Sequence, residues 1–126
     1  MNVIAVFLGG GLGSVFRYLL GQGVVKWGGI APIGTLISNV LATALLMGLL
    51  GYQLGLGNEK TPVIGPWMLL MTAGFCGGFS TFSTFSADTI QLVQNHGLGW
   101  GAANIGCNLA CCLLAGWWSW SAFQPN

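Results

Sequence analysis

Apolar residues form four long stretches along the chain, and short polar segments separate them. The stretches cover about 3–24, 33–54, 67–94 and 98–120. A helix needs roughly 20 apolar residues to cross a bilayer, so each stretch is long enough to span one. The pattern therefore predicts an all-α membrane protein with four transmembrane helices, in which residues 1–126 form a single domain.

The third stretch is the most unusual, because it is both long and polar. Its segment Gly74–Thr89 contains the adjacent glycines Gly77 and Gly78, seven Ser, Thr and Asp residues and four phenylalanines. Glycine weakens a helix by about 1 kcal/mol relative to alanine, and polar groups in hydrocarbon need partners or a wet cavity. We expect this helix to break near its middle, around Gly77–Gly78, and to form a pore or ion-binding segment.

Glycines also recur at a spacing of four residues in two of the stretches. Gly9 and Gly13 stand in the first, and Gly74 and Gly78 in the third. Small residues at this spacing allow two helix backbones to approach closely in lipid. Both pairs are therefore predicted to lie at helix–helix contacts. Gly97, just after the third stretch, is predicted to end its helix, because glycine readily forms the left-handed cap of a helix.

Composition agrees with a membrane protein and argues against other classes. Hydrophobic residues make up 54% of the chain and charged residues 4%, whereas a soluble domain has about a quarter charged residues. There is no basic field for nucleic acid and no nucleophile–base pair or metal set for an enzyme. Six tryptophans fall near the ends of the stretches, as in an aromatic belt: Trp27, Trp67, Trp100, Trp117, Trp118 and Trp120. Four cysteines are predicted to be small packing residues: Cys76, Cys107, Cys111 and Cys112.

The few basic residues barely choose an orientation. One side of the membrane would carry Lys60, and the other Lys26, together with Arg17 if its side chain extends that way. Because lysine and arginine bias sets topology, this near balance suggests that the chain inserts both ways and pairs antiparallel with itself.

Among the polar residues inside the other three stretches, four are candidates for a functional role. Arg17 is either an interfacial anchor or a group at a pore mouth. Asn39 either joins two helices by a hydrogen bond or offers amide donors to an anion. Asn104 and Asn108, one turn apart and on one face with Cys112, either bond a neighbouring helix or line a polar track.

The phenylalanines of the third stretch admit two interpretations. Phe82 and Phe85 are either core residues or, through their positive ring edges, part of an anion site. The neighbouring hydroxyls of that site would be those of Ser80, Thr81, Ser83 and Thr84. A helix break would also free backbone carbonyl groups, which suit a hard cation.

Three motifs resemble those of the CrcB/Fluc fluoride channels. They are Gly74–Asp88 (GFCGGFSTFSTFSAD), Gly34–Asn39 (GTLISN) and Gly13–Tyr18 (GSVFRY). Chain length, number of spans and motif order agree as well. The resemblance implies an antiparallel dual-topology homodimer in the inner (plasma) membrane, with two pores that carry fluoride out of the cell passively and a structural Na⁺ at the centre of the dimer.

The resemblance also assigns roles to individual residues. It implies a fluoride pore formed by the ring edges of two phenylalanines, an amide, two hydroxyls, an arginine near the vestibule and a polar face of the fourth span: Phe82, Phe85, Asn39, Ser83, Thr84, Arg17, Asn104 and Asn108. The backbone carbonyls of Gly77 and Ser80 would hold the sodium ion.

This chain departs from the family pattern at three places. Ser80 replaces the usual threonine, and Asp88 the usual glutamate. The fourth span is rich in amides where the family has hydroxyl residues. The change at Asp88 shortens a side chain near the pore, so we expect it to affect conductance.

Two other functions remain as alternatives. A proton-coupled small multidrug transporter also has four short spans, but it needs a membrane carboxylate, and the only deep candidate is Asp88. A non-conducting partner subunit of a heterodimer would keep the packing glycines and could lose the pore residues, which this chain has.

Overall fold

The computed structural model describes residues 1–56 and 65–123, and these residues are almost entirely helical. The elements in chain order are α1 (Asn2–Lys26), α2 (Ala31–Leu56), α3 (Pro66–Leu69), a π-helix (Leu70–Cys76), α4 (Gly77–Phe79), α5 (Phe82–His96) and α6 (Leu98–Phe123). The elements between Pro66 and His96 follow one another as a single interrupted span. Among these described residues, four helical segments are long and apolar enough to cross a membrane. The predicted all-α fold with four spans and a broken third helix is confirmed.

Local sequence explains where the helices begin and end. Pro66 stands at the first helical position of α3, where its missing N–H costs nothing. Gly28 and Gly97 have positive φ values of 83° and 94°, a conformation that favours glycine. Gly97 ends α5 and donates its N–H to the Val93 carbonyl at 2.9 Å, as predicted from the sequence. It thereby allows α5 and α6 to meet in a tight turn.

The third span breaks at Ser80 and Thr81 rather than at the two glycines. Ser80 (φ −79°, ψ 158°) and Thr81 (φ −155°, ψ 121°) are extended, whereas Gly77 is helical (φ −63°, ψ −38°). The prediction of a break around Gly77–Gly78 was therefore wrong by about three residues. Glycine lowers the cost of breaking a helix, but here hydrogen bonds to Thr81, described below, determine where the break occurs.

The glycines instead allow α1 to pack directly against the first half of the third span. A Cβ atom added to Gly9 would collide with the carbonyl oxygen of Leu70, and one added to Gly13 with that of Phe75. Both carbonyls belong to the π-helix. The predicted close approach at Gly9 and Gly13 is confirmed, and the contact is backbone against backbone.

The second glycine pair lies on the other side of the same contact. A Cβ atom on Gly74 would lie 3.0 Å from the Cα of Gly9, and one on Gly78 would collide with the carbonyl oxygen of Gly10. Two glycine pairs, one from each helix, therefore interlock. Such packing gains dispersion energy without any side chain between the helices.

Helices α2 and α6 form the other long pairing. Ser119 donates its hydroxyl hydrogen to the Ala44 carbonyl at 2.7 Å, and Gly48 and Gly116 admit the partner helix closely. Ser38 on α2 is fully buried and bonds back to the Thr35 carbonyl at 2.9 Å. This pairing brings α6 beside the break of the third span. Lys60, on which the comparison of topologies depends, lies outside the described residues.

Candidate anion site at the break of the third span

Asn39 on α2 stabilises the break of the third span by hydrogen bonds to its extended backbone. Its Oδ1 accepts the backbone N–H of Thr81 at 2.8 Å, and its Nδ2 lies 3.4 Å from the Thr81 carbonyl oxygen. In an unbroken helix the Thr81 N–H would donate to the carbonyl of Gly77. The amide therefore replaces two backbone partners that the extended residues have left.

Thr81 also starts the second half of the span. As the N-cap of α5, its side-chain oxygen accepts the Thr84 N–H at 3.2 Å, which satisfies one donor of the first turn. Its hydroxyl also lies 3.2 Å from Ser83 Oγ and 3.1 Å from Thr84 Oγ1. The structure thus places three hydroxyl groups together at the break. Thr81 was predicted only as a hydroxyl donor and its N-cap role was missed, although a threonine before a helix is a common N-cap signal.

An open groove of about 250 Å³ lies beside the break, between α2, α5 and α6. Its lining comprises Asn39, Thr43, Ser80, Thr81, Phe82, Phe85, Asn108, Leu109 and Cys112. The rings of Phe82 and Phe85 stand 5.7 Å apart between centroids at an interplanar angle of 49°. Phe82 is 79% exposed, so this ring is not part of a packed core within the chain.

Asn108 faces Asn39 across the groove. Asn39 Nδ2 donates to Asn108 Oδ1 at 3.1 Å. Asn108 is only 5% exposed, and its Nδ2 has no hydrogen-bond partner among the described residues. A buried donor without a partner costs about 1–3 kcal/mol, so an acceptor at this nitrogen would be stabilising.

Arg17 and Thr84 lie in a different cavity, between α1, α2 and α5. Arg17 is half-buried and donates from Nη1 to the Ser80 carbonyl at 3.4 Å, so its side chain reaches the break rather than the end of its span. This carbonyl is one of the two predicted for sodium. Thr35 lines the same cavity. The break therefore separates an amide-lined groove from a cavity that contains the guanidinium group.

Two further polar residues of the sequence analysis bond elsewhere. Asn104 donates from Nδ2 to Thr89 Oγ1 at 2.8 Å, which joins α6 to α5 away from the groove. Asp88 is buried, and its Oδ2 accepts the Thr35 hydroxyl at 2.6 Å. The sequence did not indicate the contact between Thr35 and Asp88, because their 53-residue separation leaves no local signal.

The structure thus groups the predicted pore residues into sets. Asn39, Phe82, Phe85 and Asn108 share the groove, and Ser83 stands near it through its contact with Thr81. The remaining three residues, Arg17, Thr84 and Asn104, do not line the groove. Gly77 and Ser80 line a third cavity, of about 300 Å³, on the other side of Thr43.

Comparison with known proteins identifies the class. The sequence model of the family described as "CrcB-like protein, Camphor Resistance (CrcB)" matches residues 4–120. The chain belongs to this CrcB family and is a multi-pass membrane protein.

Several relatives have the name of a channel. The chain is 44% identical over 107 residues to "Fluoride-specific ion channel FluC" of Cronobacter sakazakii, which covers 85% of this chain and 81% of the relative. The protein of the same name from Enterobacter sp. is 40% identical over 107 residues, with the same coverage. "Fluoride-specific ion channel FluC 1" of Yersinia pseudotuberculosis is 40% identical over 109 residues, covering 86% and 83%. The family resemblance inferred from the motifs is confirmed.

Proposed function

We propose that this protein is a fluoride channel of the inner membrane, which lets the anion leave the cell down its gradient. The observation that carries the proposal is the groove at the break, whose lining combines two phenylalanine rings with Asn108, a buried amide whose nitrogen has no partner among the described residues. Fluoride is small and strongly hydrated, so a site must replace its water with several modest donors. The relatives' names support the choice of anion.

The chemistry of the groove suits passage rather than tight binding. Ring edges carry a small positive charge, and amide and hydroxyl groups donate without a full charge. Conduction requires binding that is favourable enough for the ion to enter and weak enough for it to leave. Arg17 lines the separate cavity between α1, α2 and α5. From there its charge attracts anions, although its side chain does not line the groove.

We propose that two copies assemble antiparallel, each pair forming two pores. What supports a second copy is the exposure of Phe82, Ser83 and Thr84 at the middle of the third span. Hydroxyl groups that face hydrocarbon are costly, and a second copy over this surface would remove that cost. The near balance of basic residues supports the antiparallel arrangement.

We also propose that the carbonyls of Gly77 and Ser80 hold a structural sodium ion between the copies. The Gly77 carbonyl fits this role, because Asn39 has taken the N–H of Thr81 that would otherwise bond it. The Ser80 carbonyl accepts Arg17 and has a second lone pair for a cation. A sodium ion there would satisfy carbonyl oxygens that the break leaves without helical donors.

Sodium dependence is measurable without any flux assay. Exchange of sodium for N-methylglucamine should shift the purified protein from dimer to monomer in analytical ultracentrifugation. An unchanged dimer in sodium-free buffer would contradict the sodium proposal and leave the channel proposal in place.

Efflux from liposomes tests the channel itself. The purified chain is reconstituted alone in fluoride-loaded liposomes, and a fluoride electrode follows release after addition of a potassium ionophore. We expect fast release of fluoride and little release of chloride in a matched preparation. A folded protein that releases neither ion would refute the proposal for this chain alone and favour the partner-subunit alternative.

A further inference from the structure

Helix α1 meets the third span through three contacts at regular intervals. Each contact joins one α1 residue to one backbone carbonyl oxygen of the third span: Gly9 to Leu70, Gly13 to Phe75 and Arg17 to Ser80. At the two glycines an added Cβ atom would collide with the oxygen, and the arginine donates from Nη1 at 3.4 Å. The α1 residues are four apart, whereas the carbonyls they meet are five apart. A step of four residues on α1 therefore corresponds to a step of five on the third span.

An α-helix could not present its carbonyls to α1 at this interval. Residues five apart in an α-helix are turned by about 140° from each other, so α1 could not meet both the Leu70 and the Phe75 carbonyl. The i→i+5 hydrogen bonds of a π-helix bring such residues to the same side. The N–H of Gly77 bonds in this way, since it donates to the carbonyl of Thr72, five residues earlier, as well as to that of Gly74. The contact with α1 therefore requires the π geometry.

The same contact continues into the turn before the break. Gly78 lies in α4, and a Cβ atom added there would collide with the carbonyl oxygen of Gly10. Two residues later the backbone becomes extended, and the N–H of Thr81 donates to Asn39 at 2.8 Å. If Leu70–Cys76 were α-helical, α4 would be turned relative to α1 by the angle of one residue, about 100°. The break would then no longer face α2.

The hydrogen bonds of Asn39 do not account for the π-helix. They reach the extended backbone of Thr81, and the three-residue helix α4 lies between that residue and the π-helix. A helix can break at Thr81 with either geometry in the preceding segment. The geometry of Leu70–Cys76 therefore needs a contact of its own, and α1 supplies it.

We infer that the glycines of α1 position the break: they hold Leu70–Cys76 in π geometry, and this geometry sets the rotation at which Ser80 and Thr81 meet α2. Gly9 and Gly13 are positioning residues, because they act on the break only through the backbone of the third span. The inference rests on the proposed function in one respect, since it takes the break as the ion site. It gives the glycine contact a second role beside packing.

Two isotope-labelling schemes report separately on the π-helix and on the break. The chain contains one Cys–Gly dipeptide and two Ser–Thr dipeptides: Cys76–Gly77, Ser80–Thr81 and Ser83–Thr84. Purified protein labelled with ¹³C′-cysteine and ¹⁵N-glycine therefore gives one HNCO signal, from the Gly77 amide. Labelling with ¹³C′-serine and ¹⁵N-threonine gives two signals, of which Thr81 is the one that persists in Ser83→Ala. Deuterium exchange of each signal measures the protection of that N–H.

Gly13→Ala should change the two amides in different ways. The added methyl group excludes the Phe75 carbonyl, so we expect the segment to return to α geometry, in which the Gly77 N–H donates to the residue four earlier instead of five. The Gly77 signal should shift while its protection stays within about twofold of wild type. The Thr81 N–H should lose about tenfold in protection, as expected for one lost hydrogen bond, because the turned break no longer meets α2.

Two further variants separate this effect from its alternatives. Asn39→Ala should lower the protection of Thr81 and leave the Gly77 signal in place, because α1 and not α2 determines the π geometry. Gly51→Ala also adds a methyl group at a helix–helix contact, 3.1 Å from the Trp120 carbonyl oxygen, and should leave both signals unchanged. Fluoride efflux from Gly51→Ala should match wild type, whereas efflux from Gly13→Ala should fall.

Three results would overturn the inference. A wild-type Gly77 signal in folded Gly13→Ala would show that the glycine contact is packing alone, and loss of Gly77 protection would show local melting instead of a change of helix type. A shifted Gly77 signal in Asn39→Ala would mean that α2 determines the π geometry, a result that decides the matter even if Gly13→Ala does not fold. Spectra that behave as expected in a protein that does not conduct in liposomes would support the inference and refute the proposed function.

Discussion

The third span packs against its neighbours in two opposite ways, along its first half and at its break. Its first half meets α1 through interlocked glycines, with no room for a single added carbon at Gly9 or Gly13. Its break meets α2 and α6 through amides and leaves an open groove with one donor unpaired. The first half is rigid because its packing is complete, and the break leaves room for a site because its packing is incomplete.

This difference teaches where sequence changes should affect assembly and where they should affect function. In lipid, helix association depends on van der Waals packing and interhelical hydrogen bonds, since there is no water to drive apolar surfaces together. The glycine contact between α1 and the first half of the third span depends wholly on packing, so any added volume destabilises it. The groove depends on a few oriented polar atoms, so a change of chemistry there can leave the fold intact.

The largest effect is expected from Gly9→Ala. The added methyl group would collide with the Leu70 carbonyl and lie within 3.0 Å of the Phe75 nitrogen and the Gly74 Cα. Because these are backbone atoms that cannot rotate away, we expect a loss of about 3 kcal/mol, at the upper end for overpacking. Thermal unfolding of the detergent-purified protein measures it.

Gly11→Ala is the matched control for this variant. Gly11 lies on the same helix and has no atom within 4 Å of an added Cβ, so stability should be unchanged or slightly higher. Equal melting temperatures for the two variants would show that the close contact at Gly9 does not determine stability, and would contradict the comparison drawn above.

The next largest effect is expected from Asn39→Ala. It leaves the Thr81 N–H and the Asn108 oxygen without partners, and buried unpaired groups cost about 1–3 kcal/mol. Both thermal stability and fluoride efflux should fall. Asn104→Ala, which breaks one hydrogen bond to Thr89, should cost less stability. A variant at Asn39 that is as stable as wild type would show that the break does not depend on this amide.

A smaller, purely functional effect is expected from Phe82→Ile and Phe85→Ile. Contacts through aromatic rings are worth about 1 kcal/mol, so the loss of a ring edge should slow fluoride efflux by up to about tenfold. Assembly should persist, because isoleucine keeps a bulky apolar side chain at these positions. Gel filtration checks assembly, and wild-type efflux from both variants would mean that the groove is not the pore.

The smallest effect is expected from Cys107→Ala. Cys107 is exposed on α6 and lies neither at the glycine contact nor in the groove lining. Stability should therefore change by no more than about 0.5 kcal/mol, and efflux should stay at the wild-type level. This variant sets the baseline for the other measurements. A large loss of either property would contradict the prediction that the cysteines are ordinary packing residues.

The features that could be predicted from the sequence are those with a local signal. Apolar stretches predicted four spans, glycine spacing predicted the contact of Gly9 and Gly13, and Gly97 predicted the end of α5. The position of the break could not be predicted in this way. Glycine pairs weaken a helix at Gly77 and Gly78, but the hydrogen bonds of Asn39, some forty residues earlier in the chain, place the break at Thr81.

The candidate site shows the same limit. Residue types indicated which side chains have suitable donors, and resemblance assigned them one common pore. Their division into a groove with Asn39 and Asn108 and a cavity with Arg17 depends on how four helices, α1, α2, α5 and α6, cross. The contact of Asn108 with Asn39, and of Asn39 with Thr81, joins residues that are far apart in the chain, which no spacing along the chain encodes.

The π-helix between Leu70 and Cys76 has a consequence at the level of the gene. Its hydrogen bonds join residues five apart rather than four, so the segment holds surplus length. Removal of one codon here would convert it towards α geometry and rotate the preceding turn by about 100°, which would carry Met68 out of its buried position and the Leu70 carbonyl away from Gly9. The open reading frame therefore does not tolerate shortening even where the helix itself has a residue to spare.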